Sequence, residues 1–163
     1  MATVLVIDDE FGIAEVIEMA LEDEGHHVVA AVNGEQGLER LAAAAVDLVL
    51  LDYMMPILDG PGVLRAMRAD PMLRGVPVVL MTSLDEATAR RGCEGFVAFL
   101  RKPFRIEQLV RSVAEALRAR RASGAIGCAK LDRVMPAGPS TDRSMSCAKP
   151  VPAASVIRSW ATL

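Results

Sequence analysis

Phe96-Val97-Ala98-Phe99-Leu100-Arg101-Lys102-Pro103 is an apolar run that closes on a single amine. Lys102 is the only lysine in the first 121 residues, which carry twelve arginines. Where a positive charge needs only to be solvated, this stretch uses arginine. An isolated ammonium therefore points to a task that suits a compact point charge better than a planar fork, such as meeting one phosphate oxygen. Three further apolar runs also end in polar groups: Val4-Leu5-Val6-Ile7 in Asp8-Asp9-Glu10, Leu48-Val49-Leu50-Leu51 in Asp52, and Val78-Val79-Leu80-Met81 in Thr82-Ser83. Short continuous apolar runs are typical of strands buried on both faces. If these strands are parallel, three acids, a hydroxyl and an amine collect at one edge of one sheet.

Helical spacing fills the intervals between the runs. From Phe11 to Glu24, residues Ile13, Val16, Ile17, Ala20 and Leu21 recur on one side, and Gly25 is a stop signal. His27–Ala31 reads as a second strand. Asn33 can cap a helix carrying Leu38, Leu41, Ala42 and Ala45. Pro61 suits a first helical position before Val63, Leu64 and Met67, and Asp70-Pro71 ends that helix. A strand over Val76–Thr82 precedes a short, weakly apolar fourth helix within Leu84–Arg91. The fifth strand is expected over Phe96–Leu100 and the last helix over Ile106–Arg121, burying Leu109, Val110, Val113 and Leu117. Five strand–helix alternations specify an α/β fold, a doubly wound five-stranded parallel sheet with right-handed crossovers. Ligands in such sheets bind beyond the carboxyl ends of the strands, where the polar groups are placed.

Composition sets the outer bounds. The 163 residues are 52% hydrophobic but only 4% aromatic, so the core is aliphatic. No apolar run nears the roughly 20 residues of a bilayer span, and there is no basic leader, which predicts a cytoplasmic chain without membrane association. Cys93, Cys128 and Cys147 lack metal-ligand spacing and read as free thiols. Net charge is −3, but residues 1–121 hold 13 basic and 19 acidic groups, while 122–163 are net +3. Neither part is basic enough to predict nucleic-acid binding by itself. Arg118, Arg120 and Arg121 have no interleaved aromatics and read as a solvated helix end. Residues 122–163 hold four prolines and no sustained periodicity. They are expected to form a mostly disordered tail behind a domain at 1–121, with Val156–Leu163 and its Trp160 as a possible short helix.

The acids imply a metal. Asp8, Asp9 and Asp52 crowded together raise one another's pKa unless a cation neutralises them, and Mg²⁺ accepts one or two carboxylates plus water and phosphate oxygens. An ionised Asp52 can then attack phosphorus, with Lys102 and Thr82 meeting the remaining oxygens.

Val6-Ile7-Asp8-Asp9-Glu10, Leu51-Asp52-Tyr53-Met54-Met55-Pro56 with Asp59-Gly60, Met81-Thr82-Ser83 and Gly95 through Phe104 together resemble, in order and spacing, the receiver domain of bacterial two-component response regulators. The resemblance covers roughly residues 2–121. It implies the flavodoxin-like (βα)₅ receiver fold and the following roles. Asp52 is the phosphoacceptor. Asp9 binds Mg²⁺ directly, Asp8 mainly through water, and the Met54 backbone carbonyl is a further ligand. Thr82 is the switch hydroxyl, Phe99 the switch aromatic and Lys102 the phosphate-sensing amine, followed by a cis peptide at Pro103. It also implies a histidine kinase or histidine phosphotransfer protein as donor. The output is a protein–protein surface on the fourth helix, fifth strand and fifth helix. No enzyme activity is expected beyond self-catalysed phosphotransfer and slow dephosphorylation. The alternative is a phosphorylation-independent adaptor on the same fold. Two features depart from the pattern: the span from Thr82 to Lys102 is a little short, around the fourth helix, and Phe99 stands where tyrosine is common. Met54 and Leu84, each two residues beyond a site residue, are apolar and cannot align an attacking water, which predicts slow loss of phosphate.

Overall fold

The computed structural model describes residues 1–128. The expected tail from residue 129 onward, including the Trp160 segment, lies outside the described residues. Strands β1 (Thr3–Ile7), β2 (His27–Ala31), β3 (Leu48–Asp52), β4 (Val78–Thr82) and β5 (Ala98–Arg101) alternate with α1 (Phe11–Asp23), α2 (Gly34–Ala43), α3 (Gly60–Ala69), α4 (Glu86–Gly92) and α5 (Ile106–Cys128). All strand pairs are parallel, in the order β2-β1-β3-β4-β5. This is the five-stranded α/β architecture that the apolar runs predict.

Side-chain alternation divides the strands between two cores. Leu5, Ile7, Val49, Leu51, Val78 and Leu80 face Leu41 of α2, Leu64 and Met67 of α3, and Ala89 of α4. Val4, Val6, Leu48, Leu50, Val79 and Met81 face Ile17 and Leu21 of α1 and Leu109, Val113 and Leu117 of α5. β3 and β4 are buried at every position. Both faces of the sheet are therefore covered, and only its ends are free to hold polar chemistry.

The helix ends follow local chemistry. Gly25, at φ +79°, turns the chain after α1; its amide bonds Glu22 O at 2.8 Å and the His26 amide bonds Leu21 O at 2.9 Å, satisfying the last carbonyls. Asn33 Oδ1 accepts from the Gln36 amide as expected, while Gln36 Oε1 accepts from the Val32 amide, both at 2.9 Å. α3 and α4 have caps that the hydrophobic pattern does not reveal: Asp59 accepts from Gly62 N and Asp85 from Thr88 N. α3 consequently starts at Gly60, one residue before Pro61.

Other boundaries also differ. β4 starts at Val78 and β5 at Ala98, each two residues later than the apolar run suggests, because Val76 and Phe96 pack from the preceding loops into the core. Val16 and Ala42 face outward: α1 rests on Ala14, Ile17, Ala20 and Leu21, and α2 is kept close to the sheet by Gly37, which lies against Ile7. α5 passes the expected end at Arg121 and continues to Cys128. The apolar stripe that marks the helix in the sequence ends near Leu117, short of the end of the helical backbone. Arg120 clamps this helix to the strand ends: its guanidinium donates to Asp47 Oδ1 at 3.0 Å and to the Val46 and Asp47 carbonyls. That engagement removes Arg120 from the free cationic set read at the helix end.

Gly60 shows how tightly the β3–α3 turn closes. A β-carbon there would overlap the Asp52 carbonyl oxygen and lie 2.8 Å from Tyr53 Cα, both of them backbone atoms. Gly12 in α1 has open space around it. Gly60→Ala is therefore expected to destabilise the chain by about 1–3 kcal/mol. Gly12→Ala is expected to stabilise it by about 0.5 kcal/mol. Urea denaturation of the two variants against the parent checks both signs.

Candidate functional site

Because the strands are parallel, their carboxyl ends share one edge. Asp8 and Asp9 follow β1, Asp52 is the last residue of β3, Thr82 the last of β4, and Lys102 follows β5. β1 and β3 are neighbours, which brings one carboxylate oxygen from each of Asp8, Asp9 and Asp52 within 4.8 Å of the others. Asp8 and Asp52 are buried, at 1% and 5% exposure, while Asp9 is open to solvent. Lys102 reaches over β4 to this group. Its Nζ lies 2.8 Å from Asp8 Oδ2, 3.2 Å from Glu10 Oε1 and 3.4 Å from Asp52 Oδ1. The Lys102–Pro103 peptide is cis, as the resemblance implies.

Several backbone bonds aim the carboxylates. Asp8 Oδ1 accepts from the Glu10 amide and Asp52 Oδ1 from the Tyr53 amide, both at 2.9 Å. The Lys102 amide donates to the Thr82 carbonyl at 2.8 Å, tying the end of β5 to that of β4. Thr82 is buried, and its Oγ1 accepts from the Leu84 amide at 3.1 Å. Register pairs Asp52 with Met81, so Thr82 extends one residue past the acid on the adjacent strand.

The electrostatics are unbalanced. Two buried carboxylates share one ammonium, and two more exposed acids stand beside them. Burial is the main influence on Asp52 and pushes its carboxyl up to about 6; Lys102 opposes this and the Asp8 charge adds to it. Burial also pulls on Lys102 in the direction of the neutral amine, but its hydrogen bond to Asp8 and the surrounding acids more than offset it, so its pKa is raised. Lys102 is charged at neutral pH and Asp52 pays a desolvation penalty for its own charge. A divalent cation among Asp8, Asp9 and Asp52 removes that imbalance, and hard oxygen donors of this kind fit Mg²⁺.

The remaining residues are placed as follows. Met54 is in the loop two residues after Asp52, with its side chain 65% exposed. Phe99 is half-buried on β5, its ring centroid 6.5 Å from that of Phe96 at an interplanar angle of 41°. The Arg90 guanidinium covers Phe96 at 4.8 Å and is held by Glu86 at 2.7 Å. His26 and His27 lie at the start of β2, at the opposite end of the sheet from the acids. Cys93, the C-cap of α4, is a buried free thiol. Sequence reading did not single out Glu10 as a partner of Lys102, nor the Tyr53 amide as a donor to Asp52. The acidic triplet and the position directly after Asp52 were the signals for them.

A family model for the response regulator receiver domain matches residues 4–114. Transcriptional regulatory protein YkoG of Bacillus subtilis is 38% identical over 117 residues, which cover 71% of this chain and 50% of that protein. Response regulator PleD of Caulobacter vibrioides is 39% identical over 134 residues, covering 76% of this chain and 30% of that one. The chain thus spans about half or less of these curated relatives. Among solved structures, Vibrio cholerae chemotaxis protein CheY4 aligns with a TM-score of 0.68 at 26% identity, over 71% of this chain and 98% of that one. The receiver domain of Francisella response regulator 1452 aligns with the same score at 30% identity, over 73% and 98%.

The imbalance at Asp52 has a measurable consequence. A carboxyl near 6 when folded and 3.8 when unfolded favours the folded state at low pH, and that contribution is lost as pH rises from about 4 through about 6. Asp52→Asn removes the charged form. At pH 7.5 in EDTA it is expected to unfold with about 1–3 kcal/mol more free energy than the parent. Below about pH 3, where the parent acid is largely neutral in both states, the difference should close. Paired denaturation curves at the two pH values measure it.

Proposed function

Because the chain belongs to the response regulator receiver domain family, we propose that it is a phosphoacceptor in which Asp52 takes a phosphoryl group from a histidine kinase or histidine phosphotransfer protein. The observation that supports this most is the Lys102 ammonium, poised 3.4 Å from Asp52 Oδ1 above an otherwise uncompensated pair of buried acids. An oxygen of the ionised Asp52 attacks phosphorus, and the bond from phosphorus to the donor nitrogen breaks. The electron pair leaves with the imidazole. With acetyl phosphate as donor, a phosphorus–oxygen bond breaks instead and acetate departs. Asp8, Asp9 and Asp52, with the Met54 carbonyl, are the groups that would hold Mg²⁺, which when bound supplies positive charge to the phosphoryl oxygens. Lys102 provides the fixed cation on the other side. The Thr82 oxygen already accepts from the Leu84 amide, so its own proton is available to a phosphoryl oxygen. The chain acts on itself in this reading and turns over no other substrate.

Phosphorylation is a local charge event that can bias a two-state element. Thr82 drawn toward the phosphoryl group leaves space on the side of Phe99, which is half-buried and free of a hydroxyl that would anchor it. α4 buries only Ala89 and so can shift at little cost. The face formed by α4, β5 and α5 is the proposed output surface. Its partner is a protein: residues 1–121 are net −6, which does not favour nucleic acid as the partner of this portion. No described helix is long and apolar enough to cross a membrane, and a cytoplasmic site of action is part of this proposal.

Incubation with acetyl phosphate and Mg²⁺ should add the mass of one phosphoryl group to the parent chain and none to Asp52→Asn. Chelation of the metal should abolish the gain, and Lys102→Ala should reduce it strongly. Once formed, the adduct should outlast a variant in which Met54 is replaced by Asn, because the exposed apolar side chain at 54 offers an attacking water no hydrogen bond. Equal lifetimes would remove that explanation of slow turnover.

A further inference from the structure

Tyr53 is the only tyrosine of the chain and follows Asp52 directly. Its amide donates both to Asp52 Oδ1 and to the Met81 carbonyl, each at 2.9 Å. Its carbonyl accepts from the Gly60 amide at 3.0 Å, with Gly60 packed too closely for any side chain. The backbone at 53 is therefore fixed on one side to the carboxylate and on the other to the head of α3. From this anchored point the half-buried ring extends to α4. Its hydroxyl lies against Gly92, the last residue of that helix. A β-carbon at 92 would overlap the hydroxyl oxygen and lie 3.2 Å from Cζ. Gly25 and Gly95 are the described glycines with positive φ, so the requirement at 92 is one of space and not of backbone conformation.

We propose that Tyr53 is a positioning residue that couples the state of the Asp52 carboxylate to α4 through its contact with Gly92, by a route separate from Thr82 and Phe99. The proposal rests on the phosphoacceptor reading. Bonding one carboxylate oxygen to phosphorus removes charge from the acceptor of the Tyr53 amide and weakens that hydrogen bond. A change of a few tenths of an ångström at the backbone is carried by the ring, which has two rotatable side-chain torsions and little room to absorb it. α4 has a single buried residue and is therefore weakly held. The structure thus holds both parts that a coupling needs, a contiguous chain of contacts and a weakly held element at its end.

Amide hydrogen exchange, with and without beryllofluoride and Mg²⁺ as a stable mimic of the phosphoryl group, tests the coupling. In the parent chain the amides of residues 86–93 should change protection on loading. In Tyr53→Phe, which removes only the oxygen against Gly92, that change should fall several-fold, while the response at residues 99–102 persists. Gly92→Ala, which forces the ring aside, should move α4 exchange toward the loaded pattern before any addition. An α4 response of parental size in Tyr53→Phe would overturn the proposal, as would an α4 that never responds in a parent chain that gains phosphoryl mass from acetyl phosphate. A parent chain that gains no such mass would overturn the phosphoacceptor reading itself.

Discussion

The arrangement depends on an excess of buried negative charge that the polypeptide does not neutralise alone. Asp8 and Asp52 are almost fully removed from water, and Lys102 is the single cation between them. Burying a carboxylate is costly unless it is paired and hydrogen-bonded. Here the pairing is incomplete, and burial pushes the Asp52 carboxyl up to about 6. A core of interdigitated aliphatic side chains on both faces of the sheet holds the strand ends in place and sustains that unfavourable grouping. The same deficit is what a hard cation would relieve, as the proposed phosphoacceptor role requires.

Much of this was legible in the primary structure because the relevant signals are local or periodic. Four apolar runs give four of the five strands, and their polar endings give Asp8, Asp9, Asp52, Thr82 and Lys102 at one edge once the strands are parallel. What escaped reading is either a local contact off the apolar pattern or a contact between distant segments. Asp59 and Asp85 are helix caps that stand apart from the apolar periodicity. The starts of β4 and β5 moved because Val76 and Phe96 satisfy the core without joining the ladder. Lys102 was read as a group for phosphate, and its closest present partner is Asp8. The abutment of Tyr53 on Gly92 joins residues thirty-nine positions apart, and no local pattern announces it.

The span between Thr82 and Lys102 contains α4. This helix has seven residues, is capped by Asp85 and is braced by the Glu86–Arg90 pair, with Arg90 stacked over Phe96. The ion pair is solvent-exposed and contributes roughly 0.3–0.5 kcal/mol. Its attachment to the rest of the molecule is mainly through Ala89, the adjacent Cys93 and the Tyr53 contact. A switch element must be weakly held, since a phosphoryl group can only shift it by the difference in free energy between its two positions. α4 meets that condition, whereas α1 and α5, each with several buried side chains, do not.

The central claim is that acids from β1 and β3 form one cation site that makes Asp52 reactive. Isothermal titration of Mg²⁺ into the chain, compared with Asp9→Asn, tests it most directly, because Asp9 is exposed and its replacement leaves the core intact. A single bound Mg²⁺ in the parent, and an affinity at least about tenfold weaker once Asp9 loses its charge, is the predicted result. Equal affinity in the two proteins, or no binding in the parent, would contradict it.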